Sequence, residues 1–102
     1  MSLEERVQEA VYLAVDETNE DQGEELLPKS LDTLLFGENG RLDSLGLVNF
    51  ISVVEEHVED VFDATIVLAD ERALTAEKSP FHSIANLVEY VCVLLREEGI
   101  EA

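Results

Sequence analysis

The residues with the clearest chemical potential are an aspartate and a serine, Asp43 and Ser44, which precede an apolar helical pattern. A serine at the start of a helix exposes its hydroxyl beside free backbone N–H groups. The helix N-terminus also favours negative charge, so a phosphodiester on Ser44 would be stabilised there. Leu42 and Leu45 are expected to bury on either side. The alternative is that Asp43 or Ser44 is only an N-cap, which is the commoner role of such a pair.

The other chemically capable side chains do not form a site in the sequence. His57, His82 and Cys92 lack the spacing of metal ligands, so no metal site is predicted. Cys92 borders an apolar stripe and is expected to be a buried small hydrophobe. Ser44 has no evident base, which suits a residue modified by another enzyme. We therefore expect a protein that is not an enzyme.

The charge of the chain is strongly one-sided. Its 102 residues carry 6 Lys+Arg against 24 Asp+Glu, a net charge of -18, while 46% of residues are hydrophobic. This length and composition predict one domain over residues 1–102. Nucleic acid and anionic membranes are not expected as partners, because both favour a basic protein surface. The acidic surface instead favours basic patches on other proteins, or else it only keeps the domain in solution.

The compartment is expected to be the cytoplasm. The first residues are acidic where a signal peptide would be basic, and no apolar run reaches the roughly 18 residues of a membrane span. A single cysteine leaves no internal disulfide, which fits a reducing environment.

The first half of the chain predicts one long helix and a long loop. Apolar residues at spacings of three and four predict a helix over Leu3–Glu17, capped by Ser2 with Glu5 completing a capping box. The polar stretch Thr18–Glu25 contains Gly23 and predicts the start of a solvated loop. A short helical turn is expected where apolar residues return, at Leu31, Leu34, Leu35 and Phe36.

The second half predicts two further long helices and a short one. The second helix is expected to run from residue 43 or 44 to residue 61 or 62, with its core at Phe50, Val54 and Val58. Thr65–Leu68 has strand propensity but no pairing partner, so a buried connector is predicted. A short helix is expected within Asp70–Lys78. The last helix is predicted to start at Ser79-Pro80 and to end at Gly99.

These elements make an all-α fold, a small four-helix bundle of three long helices and one short helix, with a long first loop. The segment Leu35–Val48, with its Asp43-Ser44-Leu45 motif after a Phe-Gly loop and before an apolar helix, resembles the acyl carrier protein family around its attachment serine. The helix layout is similar as well, so the resemblance covers about Leu3–Leu95.

The resemblance implies a function for the pair. Ser44 would receive 4'-phosphopantetheine from coenzyme A through a phosphopantetheinyl transferase, and Asp43 would help that enzyme and its magnesium ion to engage. The arm would hold an acyl group as a thioester for acyl-loading and acyl-transfer enzymes of lipid or secondary-metabolite biosynthesis. The carrier would be a monomer that meets basic docking patches on these partners. Leu45 would lie beside the cofactor, together with Asp43 and Ser44. The implied partner-binding residues are Leu45, again, with Leu47, Val48, Glu55 and Glu56.

The sequence departs from typical fatty-acid carriers soon after the serine. Gly46, Leu47 and Asn49 stand where such carriers have acidic residues, and the segment after the second helix is longer. It therefore resembles a specialised stand-alone carrier more than the housekeeping one. Two alternatives follow: an aminoacyl or peptidyl carrier that keeps the arm, or an unmodified acidic protein-interaction domain that has none.

Overall fold

The computed structural model describes residues 2–23, 26–37, 39–68 and 80–100. Within them the chain forms three helices, α1 (Leu3–Gln22), α2 (Ser44–Phe62) and α3 (Ile84–Glu97). The same residues contain no β-strand, only one isolated bridge between Leu34 and Ser83. The predicted all-α class is therefore confirmed. The fourth, short helix expected within Asp70–Lys78 lies outside the described residues.

Helix α1 begins as predicted and ends later than predicted. The Ser2 hydroxyl accepts a hydrogen bond from the Glu5 N–H at 3.2 Å, which confirms the N-cap. The loop expected from Thr18 is wrong, because the helix continues to Gln22 and ends at Gly23 with a φ of 71°. The apolar stripe stops at Val15, but the polar residues that follow contain no helix breaker before that glycine.

The loop between α1 and α2 is anchored to the chain just before α3. The Leu35 N–H donates to the His82 carbonyl at 2.9 Å, and the Phe36 N–H donates to the Phe81 carbonyl at 3.2 Å. The helical turn expected at Leu31–Phe36 is found only in its first part, where the Thr33 N–H donates to the Ser30 carbonyl at 3.2 Å around Leu31. Leu34–Phe36 pair with a distant segment instead. The loop residues Leu27, Leu35 and Leu42 are all buried in the core.

The same pairing moves the start of the last helix. The prediction that α3 starts at Ser79-Pro80 is wrong: Pro80 lies in a turn, and Ser83 is the N-cap, accepting from the Asn86 N–H at 3.2 Å. Residues 81–83 stay out of the helix because they bond to the first loop. The predicted end is confirmed, since Gly99 has a φ of 81° just past the last turn.

The hydrophobic core lies where α1 packs against both α2 and α3. Phe50, Val54 and Val58 are fully buried in it, as the apolar pattern predicts. In the connector after α2 no strand forms, as predicted, but its burial is confirmed only in part: Ile66 and Leu68 are buried, whereas Thr65 and Val67 are exposed. The Cα radius of gyration is 12.6 Å, the size of a compact domain of this length. None of the helices described is both long enough and apolar enough to span a bilayer.

Candidate functional site

The start of α2 gives Asp43 and Ser44 different roles. Asp43 is the N-cap, because its Oδ1 accepts a hydrogen bond from the Gly46 N–H at 2.7 Å. Ser44 is the first helical residue and is exposed. Its hydroxyl makes no hydrogen bond to any other described residue. The capping role thus belongs to the aspartate and leaves the serine oxygen free to react.

Glycine at position 46 suits this tight cap. A Cβ on Gly46 would lie 3.0 Å from Asp43 Oδ1, closer than most Cβ contacts. A side chain at position 46 would therefore require a small shift of the capping carboxylate.

The segment just before Ser44 is fixed to the first loop. The Leu42 N–H donates to the Leu35 carbonyl at 2.8 Å, and the Leu42 side chain is buried. The turn that returns the chain needs Gly40, since a Cβ there would come within 2.7 Å of the Phe36 backbone. Because the loop is itself bonded to the start of α3, the position of Ser44 is set by the whole fold.

Two large apolar side chains stand exposed beside Ser44. Leu45 is 71% exposed and Val48 is 59% exposed, one helical turn apart. The sequence predicts that Leu42 and Leu45 are both buried beside the serine. For Leu45 this prediction is wrong, and only Leu42 is buried. We call Leu45 and Val48 the exposed apolar pair. Leu47, expected to contact partners, points into the core instead, so its side chain is not on this surface.

The two glutamates predicted to bind partners differ in their surroundings. Glu56 is exposed and remains open to a partner. Glu55 is half-buried, and its Oε2 accepts a hydrogen bond from the Leu68 N–H at 2.8 Å. Glu55 therefore anchors the connector after α2. This contact joins residues 13 apart, so the helical pattern alone gave no signal for it.

A groove of about 500 Å³ opens on the α1 side of the site. Its walls are the C-terminal part of α1, the residues leading into α2 and the first turns of α2. The residues that line it are Thr18, Asp21, Gln22, Leu26, Arg41, Leu42, Asp43, Gly46, Asn49, Ser52 and Val53. The sequence could not reveal this groove, because residues 18–22 were expected to form a loop. The Gly23 C-cap was the available signal for the longer helix.

Among the residues that the structure describes, the Glu4 carboxyl and the Cys92 thiol have shifted pKa values. Hydrogen bonds to its own backbone and from Arg96 lower the pKa of the Glu4 carboxyl. Burial raises the pKa of the Cys92 thiol, with a further increase from the nearby charge of Glu4. Cys92 is 2% exposed, as its place on the apolar stripe predicts. Within the part of the chain that the structure describes, no three His, Cys, Asp or Glu residues gather as metal ligands would.

His57 contacts α1 rather than its own helix. Its Nε2 lies 3.8 Å from Oε1 of Glu17 on α1, so this contact links α2 to α1. From the position of His57 on its own helix, Glu56 or Asp60 would be the expected partner.

Comparison of the chain with protein-family models, with curated proteins and with solved structures found no match. The case for a function therefore depends on the residues of the site and their geometry.

Proposed function

We propose that this protein is a carrier of acyl thioesters, with 4'-phosphopantetheine attached to Ser44. The observation that carries the proposal is the exposed, unbonded Ser44 hydroxyl at the first position of α2, held there by the Asp43 cap. The Asp43-Ser44-Leu45 motif and the surrounding helix layout resemble the acyl carrier protein family.

The modification would be a phosphoryl transfer carried out by a second enzyme. The Ser44 oxygen attacks the phosphorus that bears the pantetheine arm in coenzyme A, forming a Ser–O–P bond. The pyrophosphate P–O bond breaks, adenosine 3',5'-bisphosphate leaves, and the serine proton passes to a base of the transferase. Asp43 would help to engage the magnesium ion of that enzyme while its Oδ1 accepts the capping hydrogen bond from the Gly46 N–H. The carrier itself performs no catalysis in this scheme.

The surface around Ser44 supports the second half of the proposal, docking on partner enzymes. The exposed apolar pair, Leu45 and Val48, offers contact area beside the serine. The net charge of -18 would guide the carrier to basic patches on transferases and on acyl-loading or acyl-transfer enzymes. In this proposal the carrier works in the cytoplasm as a monomer.

The first experiment measures intact mass after incubation with coenzyme A, magnesium and a broad-specificity phosphopantetheinyl transferase. Wild type should gain the mass of one phosphopantetheine, and Ser44→Ala should gain none. Ser52→Ala is the matched control, since Ser52 is an exposed serine on the same helix and should be dispensable for the modification.

Failure of folded wild type to gain mass with several transferases would contradict the carrier. It would then favour the unmodified acidic interaction domain, whose function should survive Ser44→Ala. Modification of the Ser44→Ala variant would show that another residue holds the arm. If wild type and Ser52→Ala gain the mass and Ser44→Ala does not, the arm is assigned to Ser44.

A further inference from the structure

Leu35 lies at the centre of the hydrogen bonds that connect the first loop to the two later helices. Its N–H donates to the His82 carbonyl at 2.9 Å, and its own carbonyl accepts from the Leu42 N–H at 2.8 Å. His82 lies just before α3 and Leu42 lies just before α2. The two backbone groups of this one residue therefore link the starts of two helices that are distant in sequence.

Neighbouring residues add bonds of the same two kinds. Towards α3, the Phe36 N–H donates to the Phe81 carbonyl at 3.2 Å. Towards α2, the Arg41 N–H donates to the Leu34 carbonyl at 3.3 Å. The bonds of Leu35 are shorter than both of these, so Leu35 is the central residue of the link.

The side chain of Leu35 holds this backbone in place. It is 0% exposed, and the Leu42 side chain at the α2 end of the link is buried as well. A buried leucine loses its packing contacts when its backbone moves, since the core around it is close-packed. Burial of Leu35 therefore fixes the two backbone groups that connect the helices.

The first turn of α2 is the element that depends on this link. The N–H groups at a helix start have no partner within the helix, and helix ends open more readily than helix centres. The Gly46 N–H bonds to the Asp43 side chain at 2.7 Å, and the Leu47 N–H bonds to the Asp43 carbonyl at 2.8 Å. Ser44 is exposed, and Leu47 is the first residue of α2 with a buried side chain. A fixed Leu42 therefore limits fraying of the turn that carries Ser44.

We infer that Leu35 is a positioning residue for the modification of Ser44, because its bonds to Leu42 and His82 hold the first turn of α2 against the start of α3. The inference rests on the proposed attachment of the arm to Ser44. A transferase must align the serine oxygen with the phosphorus it attacks, and a small misplacement of a reacting atom slows such a step strongly. Leu35 acts through the backbone of Leu42 and takes no part in the chemistry.

Leu27 is a matched control for Leu35. Both are leucines of the same loop, and both are 0% exposed. The two backbone groups of Leu27 bond to the side-chain amide of Asn19 at 2.8 Å, so Leu27 fastens the loop to α1 and not to α2. Leu27→Val and Leu35→Val remove the same methylene group from equally buried sites. Urea titrations of both variants give the general loss of stability that must be subtracted.

Amide hydrogen exchange, followed by NMR, measures fraying of the first turn directly. In Leu35→Val the Gly46 and Leu47 N–H groups should exchange about fivefold to tenfold faster than in wild type, because the link before Ser44 is weakened. The Val58 N–H in the later part of α2 is the internal reference. In Leu27→Val the exchange of Gly46 and Leu47 should change by no more than that of Val58.

Single-turnover modification, with the phosphopantetheinyl transferase in excess, separates reaction from binding. Leu35→Val should lower the maximal rate constant by about threefold to fivefold, because a bound carrier with a loose first turn aligns Ser44 for less of the time. General destabilisation only reduces the amount of folded carrier, so it raises the half-saturating transferase concentration and leaves the maximal rate constant unchanged. Leu27→Val should show this second effect alone. Leu35→Met keeps the side-chain volume and should restore the maximal rate constant.

Equal maximal rate constants for Leu35→Val and Leu27→Val would overturn the inference. Equal exchange of Gly46 and Leu47 in the two variants would overturn it as well. Failure of wild type to gain the arm is a different result, since it would contradict the proposed function itself. The exchange rates would then decide alone whether Leu35 holds the first turn of α2.

Discussion

At the scale of single residues, Asp43 and Ser44 show how one short motif divides structural and chemical work. The carboxylate accepts a backbone hydrogen bond at the start of α2, while the adjacent hydroxyl makes no hydrogen bond to another described residue. A serine that also capped the helix would lose that contact on modification. With the cap on Asp43, the proposed modification of Ser44 would leave that helix contact intact.

Replacing Asp43 with alanine should therefore destabilise the protein by about 1 kcal/mol, the usual cost of losing an N-cap. The free energy of unfolding from urea titrations measures the loss. Asp43→Asn is the matched control, because asparagine keeps an oxygen that can accept from the Gly46 N–H.

The same pair of variants separates the cap from the proposed role of Asp43 in modification. Asp43→Asn should retain stability and yet be modified more slowly, since it removes the charge that engages magnesium. Equal modification rates for Asp43→Asn and wild type would limit Asp43 to capping.

At the scale of elements, the sequence predicts α2 well because local signals agree there. The start of α2 at Ser44 is indicated by the Asp43 cap and by the turn before Gly40. The apolar spacing then continues through Val58, as expected for one helix. The start of α3 was missed for the opposite reason. Ser79-Pro80 has the right local chemistry, but Phe81 and His82 bond to residues 36 and 35 far back in the chain. Such long-range pairing leaves no periodic signal in either segment.

The candidate site shows the same limit. Exposure of Val48 and burial of Phe50 follow from helical spacing, and the motif indicates Ser44. The contact of Glu55 with the connector and the groove beside Asn49 depend on how distant segments pack. These features therefore required the structure.

The end of α1 provides a test at this scale, because Asn19 ties it to the first loop. Asn19→Ala removes two hydrogen bonds to the Leu27 backbone and should destabilise the protein by about 1–3 kcal/mol. Chemical denaturation followed by circular dichroism measures the change. Gln22→Ala is the control: it lies one turn later without a described partner and should change stability by less than about 0.5 kcal/mol. Equal losses in the two variants would contradict an anchoring role for Asn19.

At the scale of the whole molecule, the charge of -18 is spread over a chain whose Cα radius of gyration is 12.6 Å. Within the described part of the chain, the ion pairs of Lys29 with Asp16 and of Arg96 with Glu4 lie at the surface, where such pairs contribute little to stability. Repulsion among carboxylates therefore opposes the compact state.

Added salt should raise the melting temperature for this reason. Between about 0.01 M and 0.5 M NaCl the Debye length falls several-fold, and a gain of about 1 kcal/mol would raise Tm by roughly 4–8 °C. Differential scanning calorimetry at neutral pH measures the shift, with equal osmolality of sucrose as the uncharged control. A Tm that is flat or falls with salt would show that repulsion does not limit stability.

The burial of Cys92 has a consequence for the lifetime of a carried thioester. Thioesters exchange readily with thiolates, so an accessible cysteine on a carrier would capture its own cargo. Here the thiol is 2% exposed and its pKa is raised by burial, which keeps it protonated and out of reach. The chain also has only two lysines, Lys29 and Lys78, that could attack through an amine. If the proposed function is correct, the carrier would offer few internal nucleophiles, and release of the cargo would be left to partner enzymes.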